Sequence, residues 1–88
     1  MPITETVQFL ARLQKLNRVQ VPVEVRWRFK LEAGELLNVG VNPVGDLAEE
    51  RFVAKLLSGG RLTIPWEVAW ALKLNKPGVM LRVRLFPH

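Results

Sequence analysis

Apolar and polar residues alternate along several short stretches of the chain, and twice the period between them lengthens to that of a helix. Val7, Phe9, Ala11 and Leu13 share one side of residues 6–13, with Gln8, Leu10 and Arg12 on the other, which predicts a strand. Gln14 to Asn17 reads as a turn into a second alternating run, Arg18-Val19-Gln20-Val21. Pro22 cannot donate to a sheet ladder but suits the first turn of a helix, and the pattern predicts a helix from there to about Leu31. Gly34 is the natural residue for a left-handed cap after it, and Leu36 to Val41 is the next strand.

The same order then recurs. Phe52 to Leu57 alternates, Ser58-Gly59-Gly60 turns, Arg61-Leu62-Thr63-Ile64 alternates again, and Pro65 opens a helical stretch through Leu74. Asn75-Lys76-Pro77-Gly78 stops it, and Val79 to Leu85 resumes a strand. The match extends to residue identities. Phe9, Ala11, Leu13, Arg18, Pro22, Glu24, Val25, Trp27, Lys30 and Leu31 reappear 43 residues later, and Gly34, Leu37 and Val39 reappear 44 later. Self-similarity at a fixed spacing marks a duplicated unit. Asn42-Pro43-Val44-Gly45-Asp46 punctuates the junction. Residues 1–88 are therefore expected to form one domain, with repeat 1 at about 6–41, a linker at about 42–47 and repeat 2 at about 48–85. Leu47 to Arg51 either extends a strand or forms one helical turn, and residues 1–5 read as a frayed lead-in.

Each repeat is near the roughly 40-residue length below which chains seldom fold alone. Each also exposes the apolar face of a small sheet, and isolated hairpins are marginal in water. Burying the two faces against each other across a pseudo-twofold axis predicts a β-barrel or sandwich with two short helices outside.

Gly60-Arg61-Leu62-Thr63-Ile64-Pro65-Trp66-Glu67-Val68, followed by Leu72, Leu74, Pro77-Gly78 and Val83, resembles the AbrB/SpoVT swapped-hairpin barrels, small DNA-binding transcription regulators. The first repeat is a weaker copy, with Asn17-Arg18 for Gly-Arg and Ala33-Gly34 for Pro-Gly. In that family two identical chains interleave. The resemblance implies that here one chain supplies both halves, as a mainly β protein with two short helices, an AbrB-like barrel formed by an intrachain pseudo-dimer of two β-β-α-β repeats. The sequence departs from the family pattern in lacking, or having only very short, the last strand of each repeat. The acid after Pro-Gly is Glu35 in repeat 1 but Val79 in repeat 2. No long tail follows the second repeat, which lowers the antitoxin reading found among the family's relatives.

Charge sharpens this expectation. A formal net charge of +5 on 88 residues favours a polyanionic or acidic partner over plain solubility. Basic residues crowd repeat 1 at Arg12, Lys15, Arg18, Arg26, Arg28 and Lys30. The resemblance assigns nucleic-acid contacts to Arg12, Arg18 and Arg26, with Lys55 and Arg61 in repeat 2; Arg28 joins them from the same helix. Lys and Arg on phosphates release counterions, and an arginine fork also reads guanine edges. Double-stranded DNA is thus the expected partner.

Trp27, Trp66 and Trp70 suggest a different use of the helices. Trp66 and Trp70, four apart, stack along one side of the second helix, which is apolar nearly all round with Ala69, Ala71 and Leu72. The rings either pad a small core or form an interaction surface. As a surface they predict a homo-oligomer, a dimer of pseudo-dimers, or a protein-interaction module that keeps the barrel.

Chemistry points away from an enzyme. The single histidine, His88, is the last residue, and no Gly-rich phosphate loop follows a strand. Glu24 and Glu67 sit in helix first turns, where an acid complements the dipole. The absence of cysteine removes thiolate metal sites and disulfides and suits a reducing cytoplasm. No metal or cofactor is expected, and no apolar run is long enough for a membrane span.

Overall fold

Two three-residue strands and the prolines behind them organise the molecule. β2 (Arg18–Gln20) and β5 (Arg61–Thr63) pair antiparallel as a separate two-stranded ribbon. In the computed structural model, which describes residues 3–87, Pro22 and Pro65 follow these strands with extended backbones (φ −57, ψ 144 and φ −57, ψ 147). Each is the residue before a helix rather than within it: α1 is Val23–Arg28 and α2 is Trp66–Ala71. A proline has no N–H for the ladder, so each short strand ends where the helix begins.

Both helices stop earlier than their period predicts, and lysine performs the left-handed step expected of glycine. Lys30 and Lys73 take φ of 52 and 58. Beyond them Leu31 N–H donates to the Arg26 carbonyl at 2.9 Å, and Leu74 N–H to the Ala69 carbonyl at 2.8 Å. This six-to-one bond is the Schellman closure of a helix end. Gly34 and Gly78, also left-handed, lie in the turns that follow.

The remaining strands are β1 (Val7–Arg12), β3 (Leu36–Pro43), β4 (Glu50–Lys55) and β6 (Met80–Phe86), in the sheet order β1-β6-β3-β4. β3 runs through Asn42 and Pro43, residues the sequence assigns to the linker, and the turn is Val44-Gly45. Asn42 is buried and its amide braces that turn, donating to the Asp46 carbonyl at 2.8 Å. Residues 46–49 form neither strand nor helix before β4 begins. Ile3, expected to fray, is 2% exposed and belongs to the core.

The sheet pairings cross between the repeats, and their registers match under the repeat. Arg18 opposes Thr63 and Gln20 opposes Arg61, with Val19 and Leu62 paired between them. Val39 opposes Leu85 and Val41 opposes Val83, with Gly40 and Arg84 between. Val7–Leu85 of β1 and β6 corresponds to Glu50–Val41 of β4 and β3. A pseudo-twofold axis therefore passes between Val19 and Leu62 at one end and between Gly40 and Arg84 at the other. Val19, Leu62, Val39, Val41, Val83 and Leu85 point along it into one core and are fully buried. Each such side chain contributes about 1.5–3 kcal/mol relative to exposure.

The sheets do not close into a barrel. β1 and β4 are the edges of the four-stranded sheet, and between β1 and β2 the ladder shrinks to the single bridge Gln14–Arg18. The reason is local. Leu13 donates to the Val79 carbonyl (2.8 Å) and accepts from Gly78 N–H (2.7 Å), and Leu56 does the same with Glu35 (2.8 Å) and Gly34 (2.7 Å). Strands of three residues, stopped by proline, leave nothing to complete the ring.

Candidate nucleic-acid interface

Alternation in the ribbon puts Val19 and Leu62 inward, and so Arg18, Gln20, Arg61 and Thr63 outward. The turn Ser58-Gly59-Gly60 leads into β5, with Gly59 and Gly60 at φ of 83 and 79. Gln20 Nε2 donates to the Gly59 carbonyl at 2.6 Å and ties β2 to that turn. A Cβ on Gly59 would lie 3.4 Å from Arg61 Nη2, so this guanidinium lies back along the turn.

Arg26 reaches the same place from α1. A Cβ on Gly60 would lie 2.5 Å from both Nε and Cζ of Arg26. The guanidinium occupies the space that only glycine leaves free, and Gly60 is buried beneath it. Val21 N–H donates to the Gly60 carbonyl at 2.8 Å, holding the turn against the entry to α1. Arg26 and Arg61 thus lie against one turn, while Arg18 leaves the outward face of the ribbon at its other end, opposite Thr63. None of them takes part in an ion pair among the described residues, and the Nε atoms of Arg18 and Arg26 are buried without a hydrogen-bond partner.

The other expected contacts do not join this group. Arg12 and Lys55 lie on the outward side of the edge strands β1 and β4, in register with Met80 and Leu36. Arg12 donates to the Gly78 carbonyl at 3.3 Å. Arg28 is held by Glu5 in an exposed ion pair, which is worth little in stability but leaves its charge largely neutralised. Two members of the cluster escaped the sequence reading: Gln20, and Gly60 as the seat of Arg26. The first was available from strand alternation. The second is a contact between residues far apart in sequence and carries no local signal.

The tryptophans do not pad the core. Trp27, Trp66 and Trp70 are 74%, 72% and 77% exposed; in α2, Val68 and Ala69 supply the buried side, joined by Leu72 just past its end. Trp66 and Trp70 border two open clefts on that helix. One is about 500 Å³ with Asn17, Ala69 and Lys73 on its walls, the other about 410 Å³ against Glu67 and Ala71. Among the described residues no His, Cys, Asp and Glu side chains group to hold a metal ion, and no helix is long and apolar enough to cross a membrane. His88 lies outside the described residues.

No protein-family model matches the chain, and no curated protein matches it. The chain is similar in structure to the solution structure of PHS018 from Pyrococcus horikoshii, with a TM-score of 0.81 at 22% sequence identity. The similarity covers 92% of this chain and 89% of that one, so the fold is shared over most of both.

Proposed function

We propose that this chain binds duplex DNA, as an AbrB-like pseudo-dimer acting as a cytoplasmic transcription regulator or small chromatin-associated protein. The observation that carries the reading is the gathering of Arg18, Arg26 and Arg61 about one short ribbon, the latter two at its glycine turn, with no acidic partner among the described residues. A guanidinium left unpaired by the protein supplies charged donors to phosphate, and phosphate contacts dominate affinity for DNA. Gln20 and Thr63, on the same face, add neutral donors and acceptors. The test is duplex binding across a salt series. Affinity should fall steeply with salt, and Arg18→Ala with Arg61→Ala should reduce the slope by about two. Binding at low salt no tighter than that of an unrelated protein of equal charge would sink the reading.

A second reading rests on the three exposed tryptophans. In it the helices serve a protein contact, first of all with another copy of the chain through α2. Burying one such ring removes on the order of 200 Å² from water. Sedimentation should then show association that Trp70→Glu abolishes while the circular dichroism of the fold persists. A wild-type chain that stays monomeric at high concentration removes self-association from the account.

A further inference from the structure

The end of the pseudo-twofold axis opposite Arg18 and Arg61 carries a second set of cations. Alternation places Arg12 of β1, Arg82 and Arg84 of β6, and Arg51 and Lys55 of β4 on the outward face of the four-stranded sheet. Their in-strand neighbours Ala11, Leu81, Val83 and Leu85 are buried. Gly40 lies between Arg84 and Arg51 in the ladder, so these two guanidinium-bearing strands flank a position with no side chain.

Among the described residues, one carboxylate reaches them. Glu49, only 20% exposed, folds over Gly40 with Oε1 3.3 Å from Arg51 Nε and Oε2 3.6 Å from Arg84 Nη1. A Cβ on Gly40 would lie 2.9 Å from Glu49 Oε2 and 2.8 Å from the Phe86 ring. Arg51 also stacks on that ring, at 4.0 Å from its centroid. Arg82, two residues from Arg84 on the same face, has a buried Nε without a partner. Like charges on neighbouring strands repel; among the described residues Glu49 is the one carboxylate paired with these cations, and the face, which also exposes Leu10, Leu36 and Val53, is net positive. The ribbon and the sheet cover opposite sides of one core along the axis, so their outward faces point apart.

We propose that this sheet face holds a second segment of duplex DNA, so that one chain bridges two duplexes. The proposal rests on the DNA-binding reading of the ribbon face and adds a site to it. The incoming phosphates take over the guanidinium groups of Arg51 and Arg84 that Glu49 occupies. Counting short duplexes bound per chain by calorimetry, and following energy transfer between two differently labelled duplexes, tests it. The wild type should take two duplexes per chain and give transfer. Arg82→Gln with Arg84→Gln should take one and lose transfer at least about tenfold, still binding through the ribbon. Glu49→Gln should bind and bridge several-fold better with a salt slope steeper by about one, a gain that misfolding cannot produce. One duplex per wild-type chain overturns the second site alone, whereas no duplex binding at all overturns the ribbon reading with it. Transfer that survives the double Arg substitution but vanishes in Trp70→Glu assigns bridging to self-association and also overturns the proposal.

Discussion

The two places where a helix of one repeat meets the turn of the other are related by the repeat, yet they have become opposites. On one side Arg26 covers Gly60, and the surface there is filled and cationic. On the other, the equivalent of Arg26 is Ala69 and the equivalent of Gly60 is Asn17, and these two line an open cleft of about 500 Å³ beside Trp66 and Trp70. The backbone is the same on both sides: Val21 N–H bonds the Gly60 carbonyl at 2.8 Å, and Ile64 N–H bonds the Asn17 carbonyl at 2.7 Å. Volume is traded between helix and turn, large over none and small over medium. A duplicated frame can therefore hold one charged face and one apolar cleft without altering a ladder.

The strongest way to break the comparison is at Gly60. Gly60→Ala adds a Cβ at positive φ and drives it into Arg26, which should cost about 2–4 kcal/mol in urea unfolding. Asn17→Ala, also at positive φ (55) but with an open cleft rather than a guanidinium beyond it, should cost about 1 kcal/mol. Equal losses would mean that Arg26 yields freely and the packing asymmetry is superficial. Next in size is a transplant. Arg26→Ala should weaken duplex binding about fivefold and lower the salt slope by about one. Asn17→Gly with Ala69→Arg should raise both by a similar amount, if the second side faces the same DNA. No gain from the transplant would confine the interface to the first side. The smallest effect concerns Leu16, which sits at φ 64 and 74% exposed where the second repeat has Gly59. Leu16→Gly relieves about 1 kcal/mol of left-handed cost against about 0.5–1 kcal/mol of added chain entropy. A melting temperature within a few degrees of wild type, on the higher side, is expected; a clear drop would show that the Leu16 side chain stabilises the turn.

The doubled frame was legible because core positions repeat in identity and spacing: Val39 and Val83 occupy matched ladder sites, and Pro22 and Pro65 mark both helix starts. Arg18 and Arg61 were legible as one face from alternation alone. The helix ends were not, since Lys30 and Lys73 adopt left-handed backbones that local propensity assigns to the glycines further on. Barrel closure was over-read because the hydrogen bonds that divert Leu13 and Leu56 involve backbone atoms, which any sequence possesses. Glu49 over Gly40 and Arg26 over Gly60 were hidden for a different reason. Each joins a charged side chain to a bare backbone position, a pairing without periodicity or spacing to reveal it.

The matched registers bear finally on how the halves are joined. Val7 and Leu85 are ladder partners in β1 and β6, and their counterparts Glu50 and Val41 flank the Val44-Gly45 connection. The beginning of β1 and the end of β6 thus meet in the setting that the internal connection already spans. The order of the halves along the chain is therefore arbitrary to the fold. A chain opened at Gly45 and sealed by a short loop from β6 to β1 keeps every ladder, so two topologically distinct sequences describe one molecule.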